Sequence, residues 1–499
     1  MQPIEAYRKL ENRFDRASRV REATQVLGWD RATKMPDGGL DARRGQMSAL
    51  ERHFRELVTA PEVEEWLGDA DAASEELDPW ERANLREMRR LYDRFAAVPL
   101  DLVETWLEKG VECRGVWRQA RPDDDFGRLK PHLAEVIDLT REIAQAKSDA
   151  LGVPPYDALL DRFAPGFRSE RVDELFDDVA EFLPSLIDEA LQSQTRAPEP
   201  IWPDTPMSAE GQYRAAETLM DALGFDFEHG RLDTSPHGFC GGHPGDVRIT
   251  TRWDTEDFRE GIYCVLHETG HAMYTRQLPS DWFRQPVGLA RGMVVHESQS
   301  LLVERCACRT RAFCEFAAPR FADSLGDADA FTPDNLHRLV TRVERQLIRV
   351  EADEVTYPAH VMLRYELEQD LLSGDLPLED LPGAWNEAME KHLGIIPPDN
   401  RDGCMQDIHW MDGTFGYFPT YLLGAMAAAQ QFEAAEDQLD GLHESIAGGD
   451  FGPLMDWLET HVHGRGSETT ADAMLEDATG QPLTAEPLER HLRRRYVDR

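Results

Sequence analysis

Along most of the chain, apolar residues recur every three or four positions, and short polar breaks interrupt them. From Ile4 to about Ala197 the breaks fall at turn-forming stretches such as Met35–Gly39, Val98–Pro99 and Gly152–Pro155. A helix turns once every 3.6 residues, so this pattern predicts long helices joined by short loops, a mainly α fold. Within this half, the acidic Leu67–Glu76 reads as a solvated loop and Arg196–Pro203, with three prolines, as an extended connection. The one persuasive strand is Asp246–Trp253, where β-branched residues alternate with polar ones after the Gly-rich Phe239–Gly245. Such a strand can offer an edge to which an extended peptide adds.

Helical period returns in Gly261–Tyr274. Asp254 or Thr255 is the expected cap, with Glu256 and Asp257 in the first turn. Phe258, Ile262, Val265, Leu266, Thr269 and Met273 form a stripe that should bury one side of this helix. His296–Glu304 reads as another helix, and 316–335 and 371–384, rich in Asp, Pro and Gly, read as loops. No internal repeat or low-complexity tract is visible. The expected organisation is one unit over 1–499, with a helical framework over 1–200, the site elements over 230–425 and C-terminal helices over 430–499.

Composition adds compartment and charge. With 499 residues, 41% of them hydrophobic, the chain has ample material for a core. The charged start Met1–Leu10 has no signal-peptide core, and the longest apolar run, near Tyr421–Ala428, is too short to cross a bilayer. A cytoplasmic protein without membrane attachment is the expectation. Seven scattered cysteines fit reduced thiols. Lys+Arg total 54 against Asp+Glu 94, a formal net charge of −40. That field repels nucleic acid and anionic membranes, and it opposes compaction unless salt screens it, which points to a salt-loaded, halophilic cytoplasm.

The candidate chemistry lies in His267-Glu268-Thr269-Gly270-His271. On a helix, histidines four residues apart project from one face and can hold one Zn2+, while the flanking Glu268 can take a proton from an activated water. A catalytic zinc needs a third protein ligand and an open position. Glu297 or Glu304, both on the next predicted helix, can supply it. Glu297 is better placed, since it lies beside His296, Ser298 and Gln299, whereas Glu304 follows Leu301, Leu302 and Val303.

Further motifs extend the pattern over nearly the whole chain. They are Trp29-Asp30 with Met35-Pro36, Tyr156–Leu160, Asp246 with Arg248 and Thr250, His296–Gln299, Ile348-Arg349 with Ala352-Asp353, Gly403 with Gln406, Asp407, His409 and Trp410, and Gly416–Tyr421. With the His267–His271 motif, they make the chain resemble the carboxypeptidase Taq family of thermostable zinc metallocarboxypeptidases. The resemblance implies a large α-helical, zincin-like unit with a small β-sheet beside a deep groove, acting as a homodimer. It implies release of single C-terminal residues from peptides with broad specificity. Zn2+ would be held by His267, His271 and Glu297, with Co2+ or Mn2+ able to substitute, and Glu268 would act as the base.

By motif match, Arg349 would bind the substrate's terminal carboxylate, which a planar guanidinium suits. His409 and Tyr421 would donate hydrogen bonds to the developing oxyanion. Asp246 and Arg248 would shape the substrate side of the site. His237 stands where the family has His-Pro-Phe, but here Gly238 replaces the proline, so a freer loop is expected. Two other readings stay open: a zinc oligopeptidase or endopeptidase with the same ligands, and a non-catalytic acidic helical binding protein whose histidines are structural.

Overall fold

Helices dominate the computed structural model, which describes residues 3–72 and 74–498. Among these residues there are twenty α-helices and one three-stranded sheet, so the expected mainly α fold holds. The apolar interior falls into two clusters. One is built by the first four helices, which interlock Tyr7, Leu10 and Phe14 with Leu57, Val58, Val63 and Met88. The other runs from Val98 to Tyr496 and holds everything around the site. The expected framework over 1–200 is thus divided: its first part has its own core and the rest joins the main one. A buried ion pair, Arg291 to Glu87 at 2.8 Å, bridges the two.

Several expected loops are helical. Leu67 and Ala70 are buried on the Pro61–Asp71 helix, because its apolar residues still face one side despite the acidic text. The Arg311–Leu325 helix runs through part of 316–335 with Pro319 inside it. Pro319 is exposed, so water can satisfy the carbonyl that loses its partner. Of 371–384, the start closes the Tyr357–Ser373 helix and the end opens Leu381–Leu393, with proline in the first turn where its missing N–H costs nothing, while 374–380 forms the expected connection.

The sheet orders as β1 (Gly230–Thr234), β3 (Asp246–Thr251), β2 (Phe239–His243). β3 runs parallel to β1, with Leu232 opposite Ile249, and antiparallel to β2, with Cys240 opposite Ile249. The expectation that this strand offers a free edge is therefore wrong, since both of its edges are paired; β2 is an edge strand instead. Phe239–His243 looked like a loop because glycine carries little strand preference, and pairing along β3 supplies what local preference lacks.

The Phe258–Arg276 helix follows the sheet. Its cap is Asp257, whose side chain accepts from the Arg259 N–H, not Asp254 or Thr255. Asp254 instead accepts from the Glu256 N–H at 2.7 Å, closing a turn just ahead of the helix. Burial is not confined to one side: Gly261, Tyr263, Glu268, His271, Ala272 and Tyr274 are buried along with the predicted stripe. This helix is a central strut, packed on several faces.

Candidate active site

His267 and His271 sit one turn apart on the Phe258–Arg276 helix, their rings 4.9 Å apart at 87°. Glu297 arrives from the Gly292–Leu301 helix, which crosses closely because residue 270 is glycine: a Cβ there would lie 2.5 Å from the Gln299 carbonyl oxygen. Glu297 Oε2 lies 3.5 Å from His271 Nε2 and 4.0 Å from His267 Nε2. One ligand atom from each of the three side chains falls within 4.8 Å of the others, a spacing that can hold one metal ion.

The other ring nitrogens are tied down. His271 Nδ1 lies 3.0 Å from the His296 carbonyl oxygen, which can only accept, so Nδ1 carries the proton and Nε2 offers its lone pair. His267 Nδ1 lies 3.1 Å from Glu304 Oε2. Glu304 reaches it because the Gly292–Leu301 helix continues as a wider π-helical turn over Leu302–Ala307, a distortion common at functional sites. Glu297 meets the Nε2 side, and Glu304 meets Nδ1 of one ring.

The electrostatics favour a cation at this point. Burial opposes a charged His267, yet the carboxylates of Glu297, Glu304 and Glu268 outweigh it and raise its pKa to about 9. Burial likewise opposes ionised Glu297, but His267 and His271 pull it down to about 2. Two imidazoles and the Glu297 carboxylate form a borderline donor set that suits a divalent ion such as zinc, and the nearby Glu268 and Glu304 add negative charge. Glu268 is pushed upward, chiefly by burial, and the Cys240 N–H of β2 donates to it. A raised carboxylate beside such a centre suits proton transfer near neutral pH.

A second group gathers around Arg349, which is 6% exposed. Its Nε and Nη2 donate to Asp407 Oδ1 at 3.1 and 2.8 Å, and its Nη1 donates to the Tyr357 hydroxyl at 3.1 Å. The guanidinium also lies over the Tyr421 ring, 5.0 Å from its centre. His409 stacks near Tyr417 and Phe418, and its Nε2 is 3.5 Å from the Tyr421 hydroxyl. Burial lowers His409 to about 4, Asp407 opposing and Arg349 and Arg364 adding, so its ring is neutral at pH 7. Burial raises Tyr357, Tyr417 and Tyr421, and the charges of both Glu297 and Arg349 reach all three, so the tyrosines lie near both groups.

The family profile of carboxypeptidase Taq (M32) metallopeptidases matches residues 9–496. The chain belongs to this family. It is 40% identical, over its whole length and 99% of the relative's, to thermostable carboxypeptidase 1 of Thermus thermophilus. It is 31% identical over 99% of both chains to the protein of the same name from Pyrococcus furiosus. Among solved structures, Trypanosoma cruzi metallocarboxypeptidase 1 superposes with a TM-score of 0.96 at 39% identity, covering 99% of each chain. The M32 carboxypeptidase of Deinococcus radiodurans follows at 0.93, with 32% identity and the same coverage. The chain is therefore a metallocarboxypeptidase, a peptide-bond hydrolase that requires a divalent metal. No helix among the described residues is long and apolar enough to cross a membrane.

The remaining sequence candidates make their polar contacts away from the residues described above. Asp246 and Arg248 pair with each other at 2.9 and 2.7 Å, and Arg248 covers the Trp29 ring at 4.3 Å, so these motifs lock the first helix onto the sheet. The His237 side chain is exposed. Its loop is not freed by the missing proline: its carbonyl accepts from Ser235, and the Phe239 N–H donates to Thr250 Oγ1 at 3.1 Å.

Sequence reasoning missed Tyr357, Tyr417 and the polar stripe His360, Arg364, Glu368, whose four-residue spacing inside an apolar helix was the available signal. A second cluster, Cys306, Glu354 and His491, also has metal-like spacing. There Glu354 is already taken by Arg495 at 3.0 Å, Tyr496 at 2.7 Å and His491 at 2.8 Å, and the adjacent guanidinium disfavours a cation. A cavity of about 660 Å3 bounded by Arg311, Arg338, Arg494 and His491 contains none of the residues of the M32 site.

Proposed function

We propose that this M32 enzyme is a zinc carboxypeptidase that removes single residues from peptide C-termini with broad specificity, working as one catalytic unit, as a homodimer in the cytoplasm. Zn2+ would be held by His267, His271 and Glu297, with Co2+ or Mn2+ able to take its place. When bound, the ion supplies a Lewis acid that polarises the scissile carbonyl and acidifies water. Glu268 takes the proton of that water and passes it to the leaving amine, a task its raised pKa suits. Arg349 receives the terminal carboxylate; Asp407 fixes its guanidinium so that little side-chain entropy is lost on binding. Tyr421 and His409 donate towards the oxyanion, and Asp246, Arg248 and the His237 loop shape the substrate side.

The observation that carries this reading is the convergence of the two Nε2 atoms and Glu297 Oε2, with both Nδ1 atoms already held. Two measurements test it. Glu268→Gln should keep its metal and lose about 10³-fold or more in kcat, as removal of a general base does. Amidating the C-terminus of a test peptide should nearly abolish cleavage by the wild type. Rapid cleavage of the amidated peptide would favour an endopeptidase.

A further inference from the structure

The Tyr357–Ser373 helix carries a polar stripe that the reading above does not use. His360, Arg364 and Glu368 are spaced by four residues, and all three are fully buried. Arg364 has ionic work, donating to Asp407 Oδ2 at 2.6 Å and to Gln406 Oε1 at 2.7 Å. Glu368 has no cationic partner among the described residues. Its Oε1 accepts from the Gly416 N–H at 3.0 Å and from the Tyr156 hydroxyl, and its Oε2 accepts from Trp410 Nε1 at 3.1 Å. These bonds grip both ends of the segment 410–416. His409 precedes that segment, and Tyr417 and Tyr421 follow it.

We propose that Glu368 is a positioning residue for substrate binding: its ionised carboxylate pins Trp410–Gly416 and so holds His409, Tyr417 and Tyr421 in register with Arg349. The inference rests on the carboxypeptidase reading and extends it to how the wall of that site is held. A carboxylate suits the task because the Trp410 and Gly416 groups can only donate, and each takes a different oxygen. Bonds to an ionised acceptor are about twice as strong as neutral ones, so protonating Glu368 weakens both grips together.

Burial, with no cation to offset it, raises Glu368 to about 7 despite its three donors. The groups around it would not mask this titration. Tyr156 faces it from the Pro155–Leu160 helix, and the next residue, Asp157, is bonded to the Ser169 N–H at 2.7 Å. Tyr365, on its own helix, donates to Asp173 at 2.6 Å, Arg364 is held by Asp407, and Asp412 pairs with Arg114 at 3.0 Å.

The sign distinguishes positioning from plain stability. A carboxyl whose folded pKa is raised favours folding more as pH falls towards and below that pKa. Glu368 should therefore add stability as pH drops through about 7, while substrate binding weakens over the same interval.

The test measures kcat and KM for an N-blocked dipeptide with a free carboxylate, across the neutral range, with the full-length zinc-loaded enzyme, its Glu368→Gln variant and its Tyr156→Phe variant. The wild type should show an acid limb in kcat/KM carried by KM. Glu368→Gln leaves one donor facing an amide N–H, so KM should rise about tenfold and lose its acid limb, and kcat should fall as well because the oxyanion donors His409 and Tyr421 shift, with the melting temperature little changed. Tyr156→Phe removes one donor and should move the limb to higher pH. An unchanged KM and limb in Glu368→Gln overturns the proposal, as does a fall in kcat that tracks a fall in melting temperature. If Glu368→Gln does not fold, an unmoved limb in Tyr156→Phe overturns it. A wild type that cannot cleave the dipeptide at all overturns the carboxypeptidase reading instead.

Discussion

His267 illustrates how much of the proposed metal site lies behind the side chains proposed to hold the ion. Its Nε2 faces Glu297, while its Nδ1 is bonded to Glu304, which is itself held by Arg309 at 2.5 Å. Burial pushes the Glu304 carboxyl up, but Arg309, Arg305 and His267 bring it down to about 2, so it is charged at neutral pH. A permanent anion on Nδ1–H makes the opposite nitrogen a better donor and fixes the ring. Glu304→Gln keeps the size and an acceptor but removes the charge. It should weaken zinc binding about 10-fold or more, measured by competition with a chromogenic chelator, while Glu297→Gln should weaken it further. Equal affinity in wild type and Glu304→Gln would mean that Glu304 only anchors Arg309.

At the scale of elements, the metal helix and its crossing partner were legible because chemistry and period coincide there: the histidine pair falls on a strongly periodic segment. The sheet was legible only at β3. β2 contains Gly241 and Gly242, and its strand state comes from pairing rather than from its own residues. The Tyr357–Ser373 stripe was legible only as a spacing, since the sequence puts His360, Arg364 and Glu368 on one face but does not show their partners at 406–416. The departure at Gly238 also has a tertiary cause. A Cβ at residue 238 would lie 2.2 Å from Cys264 Sγ and 3.1 Å from the Thr250 carbonyl oxygen, and proline would carry the same Cβ. Gly238→Ala should therefore cost about 1–3 kcal/mol by overpacking, and Cys264→Ala should recover much of that in the double variant. Denaturant melts of the four proteins read the coupling directly; additive effects would show that the thiol is not what excludes a side chain at 238.

At the scale of the whole molecule, charge is the feature that no single contact explains. With 94 acidic and 54 basic residues, one-to-one pairing of every Lys and Arg still leaves 40 carboxylates without a basic partner. Many pairs that do form are exposed and short-range in sequence, such as Arg19 with Asp15 and Arg214 with Glu210, and pairs of this kind contribute only about 0–1 kcal/mol each. They cannot offset a field spread over the surface. The buried Arg291–Glu87 bridge between the two cores is largely out of reach of salt, so screening should act on the surface repulsion and leave that joint intact. Raising KCl from about 0.1 M to about 2 M shortens the screening distance from roughly 10 Å to below about 3 Å, less than the spacing of most surface carboxylates. The melting temperature should therefore rise markedly across that series, and both cores should melt later together. Sucrose, which is excluded from the protein surface and strengthens burial but carries no charge to screen with, serves as the control. Equal melting temperatures in dilute buffer and molar KCl would show that the acidic surface is tolerated without screening, and the salt-loaded cytoplasm expected from composition would have no physical support.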